Sequence, residues 1–436
     1  MSWQPRKLGE FISIKHGWAF KGEYFSDSGK YILLTPGNAH ETGGLKLRPG
    51  KEKYYLGEFP PDYLMKTGDM LVVMTDLIQA APILGGAIVV PEDDRFLHNQ
   101  RLGLVELLPQ AEIDKGFLYY LLNSPGYRSQ VRGSATGATV RHTAPKRICD
   151  CNVLVPDTVE EQQQVATVLS SYDDLIATNQ RRIALLEDAA RRLYREWFVH
   201  LRFPGHDHSA GKPNGTAAGR PAGVSARDGA NQSVPVKDGV PEGWAKLPLG
   251  DVAEITMGQS PESKYYNTDG DGLPFHQGVS DFGHRFVKHE TYTKQATRIA
   301  EAGDILCSVR APVGRLNFTR DKIAIGRGLS AMRSRTGHQS LLFYQLDALF
   351  VEEDMIGGGA IFASVGKKEL FGQLILQPST SVACTFNRLA ADLDAQIENL
   401  DSQNRELAKA RDLLLPKFMS GQLDVSGIRL SEEIAA

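Results

Sequence analysis

The stretch Val165-Ala-Thr-Val-Leu169-Ser-Ser-Tyr172-Asp-Asp-Leu-Ile176-Ala-Thr-Asn179-Gln-Arg-Arg-Ile183-Ala-Leu-Leu186-Glu-Asp-Ala-Ala190-Arg-Arg-Leu193-Tyr-Arg-Glu-Trp197 decides the fold. Its apolar residues recur at spacings alternating between three and four, with a single Asn on the stripe. That is the seam of a helix made to pack lengthwise on a partner. The partner lies in the same chain. Phe386, Ala390, Leu393, Ile397, Leu400, Asn404, Leu407, Arg411, Leu414 and Phe418 repeat the alternation. The offset that carries Val165 onto Phe386 also carries every later seam position onto its counterpart, ending with Trp197 on Phe418.

The polar seam residues choose the direction of packing. With Val165 opposite Phe418 in an antiparallel pair, Leu169 meets Leu414, Ile176 meets Leu407, Ile183 meets Leu400, Leu186 meets Ile397, Trp197 meets Phe386, and Asn179 meets Asn404. Two facing amides satisfy one another and fix register. Parallel packing of equivalent positions sets each Asn against a Leu or Ile, so the antiparallel arrangement is expected, with Asn179 and Asn404 as its register pair.

The repeat extends beyond the helices. Lys7-Leu-Gly-Glu-Phe-Ile-Ser-Ile-Lys-His-Gly17 corresponds to Pro248-Leu-Gly-Asp-Val-Ala-Glu-Ile-Thr-Met-Gly258, and Lys66-Thr-Gly-Asp-Met-Leu-Val-Val-Met74 to Glu301-Ala-Gly-Asp-Ile-Leu-Cys-Ser-Val309, a Gly-Asp turn feeding a buried strand. Gly133 to Pro156 matches Gly357 to Pro378 in the same order, glycines, then basic residues, then a strand. The expected organisation is α+β: a first α/β domain at 1–156, a first spacer helix at 157–200, a flexible linker at 201–240, a second α/β domain at 241–379, a second spacer helix at 380–420 and a tail at 421–436. The linker is read from its Gly, Pro, Ser and Ala content, which buries too little to fold alone. His206 and His208 lie within it, without the further ligands that a metal site needs.

Composition excludes several classes. With 436 residues, 42% hydrophobic content and 43 glycines, the chain has the makings of several packed domains. No apolar run approaches the roughly 18 residues of a membrane span, since Ala80 to Val90 is broken by Pro82 and the Gly85-Gly86 pair. The N-terminus shows no signal-peptide core, and a soluble intracellular protein is expected. Four cysteines without paired spacing read as reduced thiols rather than a disulfide or zinc framework.

The net charge of −3 exerts no global pull on polyanions, so any nucleic-acid surface must be local. Arg310, Arg315, Arg320, Lys322, Arg327, Arg333 and Arg335 crowd one short stretch against a single acid, Asp321; Arg128, Arg132, Arg141, His142, Lys146 and Arg147 occupy an acid-free stretch of the first half. Lys and Arg supply phosphate contacts, while Arg, Gln, Asn and His read base edges. Gln259, Lys264, Tyr265, Tyr266, His276, Gln277 and His284 are further readout candidates, and Lys367 with Lys368 follows the glycines of the second half. The DNA-contact set is therefore Arg128, Arg132, Arg141, His142, Lys146, Lys264, Tyr266, Gln277, Arg310, Arg315, Arg327, Arg333 and Lys367. Catalytic motifs are scarce: there is no phosphate-loop spacing, no H-E-x-x-H and no nucleophile elbow. A nuclease-like set of Asp251, Glu262 and Lys264 has no counterpart in the first half.

These residues together resemble the specificity (S) subunit of type I restriction-modification systems. The resemblance rests on Gly-Trp244-Ala-Lys-Leu-Pro-Leu-Gly-Asp-Val-Ala-Glu-Ile, the Gly-Asp-Ile-Leu strand at 303–306, Pro156-Asp-Thr-Val-Glu-Glu-Gln-Gln-Gln164 entering a long helix, and Leu413-Leu-Leu-Pro-Lys-Phe-Met-Ser-Gly-Gln-Leu423. It departs at Ser381-Val-Ala-Cys-Thr-Phe386, which lacks the Glu-Gln pair, and in the long linker. The resemblance implies two target-recognition domains, each reading half of a split asymmetric site on double-stranded DNA, joined by an antiparallel coiled coil. It implies docking of two modification (methyltransferase) subunits and of restriction (translocase/nuclease) subunits. It also implies no catalytic residue, metal or cofactor in this chain, with S-adenosylmethionine, ATP and Mg²⁺ in the partners, and a cytoplasmic role in DNA methylation and phage defence. A stand-alone metal-dependent DNA nuclease and a coiled-coil adaptor that binds no DNA are the alternatives. The seam from Val165 to Trp197, roughly 48 Å at about 1.5 Å per residue, is expected to set an unread gap of about six to eight base pairs.

Overall fold

The computed structural model describes residues 2–48, 50–205, 236–237, 240–352 and 364–424. Most of the expected linker, including His206 and His208, lies outside these residues, as do the glycines at 357–359. The chain divides into two compact units, Met1–Asn179 with Ser402–Ala436, and Gln180–Asp401.

Each unit is built on the same sheets. In the first, a four-stranded antiparallel sheet has the order Ile12–His16, Leu102–Leu107, Met70–Val73, Ala87–Val89. In the second the order is Ala253–Met257, Leu329–Ser334, Ile305–Ser308, Leu316–Phe318. A smaller sheet accompanies each. In the first unit Phe25–Ser26, Tyr54–Tyr55, Tyr31–Leu34 and Phe96–His98 pair in that order, the last pair parallel. In the second, Tyr266–Asn267, Tyr292–Thr293, Leu273–His276 and Ile323–Ile325 follow the same scheme, and Ile299–Ala300 is added at the edge. A third pairing closes each domain: Trp3–Lys7 with Asn152–Pro156, and Ala245–Pro248 with Leu374–Gln377.

The Gly-Asp segments owe their recurrence to the central strands. Met70, Leu71, Val72 and Val73 are all buried, as are Ile305, Leu306 and Cys307, because helices or loops cover both faces. The glycines ending the opening motifs are equally constrained. A Cβ on Gly17 would stand 2.1 Å from the Asn99 carbonyl oxygen, and one on Gly258 the same distance from that of Gly326. Only glycine lets the backbones approach so closely.

The two long helices are α1, Val159–Tyr194, prolonged by a π-helical turn at Arg195–Val199, and α2, Thr380–Met419. Glu160 and Glu161 in the first turn of α1 and Arg191 and Arg192 in its last complement the helix dipole. Gln162, buried, latches the entry: its Oε1 accepts the Asp114 N–H at 2.7 Å and its Nε2 donates to the carbonyls of Glu112 and Pro156, each at 3.2 Å. In the second copy Ala383 stands at that place, and Asn387 Oδ1 instead accepts the Leu341 N–H at 3.2 Å.

Within the first unit Val165 and Leu169 share a core with Leu415 and Phe418. Within the second, Ala190 and Trp197 share one with Phe386 and Ala390, the Trp197 and Phe386 rings lying 5.7 Å apart. The start of each helix therefore meets the end of the other, and the pairing is antiparallel. The amide pair differs in detail from expectation. Asn179 is buried, but its Nδ2 donates weakly to Gln403 Oε1 at 3.5 Å, and Asn404 Oδ1 is buried without a partner. The longer Gln403 side chain reaches the amide first. The first residues of the expected linker also pack: Phe203 is buried with its ring 4.8 Å from Trp244.

Candidate nucleic-acid interface

In the first unit the basic stretch wraps the end of the main sheet. Thr75–Asp76 pairs with Arg141–His142, and His142, exposed, has Nδ1 3.0 Å from Thr75 Oγ1. Arg141 donates from Nη2 to the Arg132 carbonyl at 3.0 Å, and Arg147 Nη1 donates to the Ser134 carbonyl at 3.0 Å. These two arginines fasten the segment that leads from the helix Pro125–Ser134, while Lys146 is exposed and Arg132 half-buried. Arg128 corrects the expectation. It is 5% exposed, and its guanidinium donates to the carbonyls of Glu41 and Pro82. Burial pulls its pKa down, and the side chain is a brace between loops, out of reach of DNA.

In the second unit Arg310, Arg315 and Arg327 are exposed. Arg315 and Arg327 are each carried on a fixed turn. Ser308 Oγ donates to the Pro312 carbonyl at 2.6 Å and accepts the Arg315 N–H at 2.8 Å. Ser260 Oγ accepts the Arg327 N–H at 3.2 Å and donates to Gln277 Oε1 at 2.7 Å, which brings the exposed Gln277 beside Arg327. Tyr266 lies half-buried on Phe275 with its hydroxyl donating to the Pro261 carbonyl at 3.0 Å. Lys367 is exposed at the start of the helix Lys367–Gly372 with its ammonium 5.1 Å from the Phe371 ring.

Other cations of this stretch meet acids that the local sequence does not contain. Arg333 Nε bonds Asp304 at 2.8 Å, Lys322 pairs with Glu301 at 3.0 Å, and Arg320 reaches Glu398 and Asp401 at 3.3 and 2.7 Å. Arg333 stays exposed while it pairs with that nearly buried carboxylate. Burial raises the Asp304 carboxyl, against the Glu301 N–H and Arg333 that lower it. Lys264 is paired with Glu262 at 2.7 Å, so the nuclease-like set supplies an ion pair there. Among the described residues no group of three or more His, Cys, Asp or Glu is placed to hold a metal ion.

His276 is fully buried and reads nothing from the surface. Its Nδ1 is 3.1 Å from Asp281 Oδ2 and its Nε2 3.0 Å from His289 Nδ1, while His289 Nε2 is 3.0 Å from Asp321. Sequence reasoning also missed Arg285. It is 4% exposed, bonded to Asp394 and to the Tyr344 hydroxyl at 3.3 Å, 3.8 Å from Glu187, and stacked over Phe343 at 3.8 Å. Nothing in the run Gly283-His284-Arg285-Phe286 marks that arginine as internal.

With the geometry established, the chain can be set beside known proteins. Residues 1–188 match the family model described as the type I restriction modification DNA specificity domain. The putative type I restriction enzyme MjaX specificity subunit of Methanocaldococcus jannaschii is 30% identical over 272 residues, covering 61% of this chain and 58% of that protein. The MjaIX specificity subunit of the same organism is 23% identical over 339 residues, 74% of this chain and 72% of the relative. The alignment thus spans about three fifths of the first relative. The crystal structure of a type I restriction-modification S subunit from M. genitalium superposes with a TM-score of 0.54 at 15% identity over 96% of both chains, a likeness of fold.

Proposed function

We propose, from the match of residues 1–188 to the type I restriction modification DNA specificity domain, that the chain is the DNA-reading subunit of a type I restriction-modification complex. Each unit reads one half of a split asymmetric site, and the seam of α1 and α2 sets the unread gap. Two modification subunits bring S-adenosylmethionine and methylate adenine. Restriction subunits add ATP- and Mg²⁺-dependent translocation and cleavage. This chain contributes recognition and scaffolding, without chemistry of its own, in the cytoplasm. The observation that carries the reading is the doubling: two copies of one sheet plan each carry exposed basic side chains, Arg310, Arg315 and Arg327 in one and Lys146, beside the exposed His142, in the other.

The test is binding of duplex DNA by the assembled methyltransferase at several salt concentrations. Replacing Arg315 and Arg327 with Ala should weaken binding and flatten its salt dependence by about 0.9 in log–log slope for each phosphate no longer neutralised. An unchanged slope in the Arg315→Ala/Arg327→Ala variant would move the DNA surface elsewhere, and methylation mapping showing no bipartite site would overturn the assignment.

A further inference from the structure

The loop that leaves Thr75–Asp76 carries Leu77-Ile78-Gln79-Ala80 in succession on the surface, with Leu77 59% and Ile78 56% exposed. Two adjacent large aliphatic side chains left in water forgo the stabilisation, roughly 1.5–3 kcal/mol each, that burial would give them. This loop is also built to keep them there. Asp76, 1% exposed, accepts the Ile78 N–H on Oδ1 and the Ile83 N–H on Oδ2, both at 2.9 Å. Ala81 is buried in a left-handed conformation, φ 51°, a backbone state that alanine adopts only when its surroundings impose it.

The neighbours of this tip are an arginine and a histidine. Asp76 pairs in register with Arg141 and Thr75 with the exposed His142. The second unit has the same loop, between Ile305–Ser308 and Leu316–Phe318, and there the tip carries Arg310 and Arg315 instead of aliphatic residues. One position in the fold thus presents unlike chemistry in the two copies.

We propose that Leu77 and Ile78 are specificity-determining residues of the first domain, making apolar contact with bases of the DNA half-site. The proposal rests on the DNA-reading function given above and deepens it. The sugar–phosphate backbone offers an aliphatic side chain little to gain. The apolar surfaces of a duplex are the thymine C5-methyl group in the major groove and the base face exposed when a step is unstacked. A Leu–Ile pair on a DNA-facing tip therefore touches one of these, contributing discrimination rather than charge.

The test uses the full chain assembled with its methyltransferase subunits, a duplex bearing the site found by methylation mapping, and a scrambled duplex of equal length. In Leu77→Ser/Ile78→Ser, affinity for the site duplex should fall by about tenfold or more, with affinity for the scrambled duplex and the salt slope unchanged. Leu77→Ser alone should show part of the loss, and Leu77→Val/Ile78→Val should keep most of the discrimination with the same melting temperature. Uracil in place of single thymines reproduces the loss if a methyl group is touched, and 2-aminopurine at the half-site brightens on binding if a base is unstacked. Equal losses on both duplexes, no loss on either, or loss of methyltransferase co-purification would each overturn the proposal, the last by making the tip a protein contact. If the unsubstituted complex fails to tell the two duplexes apart, the DNA-reading function itself is wrong.

Discussion

Replacing Arg285 with Leu should unfold the second unit locally while leaving the first intact. The guanidinium is the buried cation facing Asp394, with side-chain exposures of 4% and 19%. Its removal strands that carboxylate, leaving it the hydrogen bond that the Tyr344 hydroxyl donates to Asp394 Oδ1 at 2.8 Å but no cation in place of Arg285. Glu187 is less affected, because Arg191 also approaches it, at 3.6 Å. Breaking a buried ion pair from one side costs about 3–5 kcal/mol, and the lost stacking on Phe343 adds about 0.5–2 kcal/mol. At tenfold per 1.4 kcal/mol, amide exchange that proceeds by opening of the unit should accelerate by about two to five orders of magnitude. Hydrogen exchange resolved by peptide is the appropriate assay, because Ile305–Ser308 reports the second unit and Met70–Val73 the first within one sample. Removing Asp394 as well, in Arg285→Leu/Asp394→Leu, takes away the stranded charge and should recover part of the loss. Acceleration below tenfold in Ile305–Ser308, or a double variant with losses that simply add, would mean that Arg285 does not hold the second unit together.

Two further perturbations probe the first unit. His98 is fully buried with Nε2 2.9 Å from the Leu102 carbonyl and Nδ1 without a partner, and burial holds its pKa down to about 4. Since its unfolded value is about 6.5, the stability of this unit should be full above that pH and fall on acidification by up to about 3 kcal/mol near pH 4. Urea melts across this range should show the slope and His98→Gln should flatten it; a flat wild-type profile would remove His98 from the account. On the seam, Asn404→Leu deletes an orphaned buried carbonyl and should stabilise the unit by about 1 kcal/mol, whereas Asn179→Leu should not. A loss of more than about 1 kcal/mol in Asn404→Leu would mean that the amide has a partner after all.

The parts of the fold that sequence makes legible are those with a period. The heptad stripe, its later copy from Phe386 to Phe418, and the Gly-Asp entries to buried strands each rest on residues whose spacing alone determines which face is covered. The candidate interface is less legible because charge in a sequence says nothing about what lies across from it. Arg128 and Arg333 read like Arg315 and Arg327, yet Glu41, Pro82 and Asp304 come to the first two from distant positions. Arg285 is one cation in a loop, and its acids arrive from both long helices. Leu77 and Ile78 carry no sign in the sequence that they lie on the surface, where the hydrogen bonds of Asp76 shape their loop. The amide pair falls between these cases: the seam predicts that Asn179 is covered, and the reach of Gln403 decides what it bonds.

The first compact unit combines everything up to Asn179 with the stretch from Ser402 onward, whereas the second is one uninterrupted segment, Gln180–Asp401. During synthesis from the N-terminus the two therefore mature in the opposite order to their appearance. When Leu169 leaves the ribosome, the residues that complete its core, Leu415 and Phe418, have yet to be translated, with the whole of the other unit still to come before them. The earlier unit must wait with an open apolar stripe while the later one receives everything it needs. A premature stop shortly after Asp401 would thus spare the younger domain and strand the elder, so that a damaged message yields a chain that is defective at its beginning.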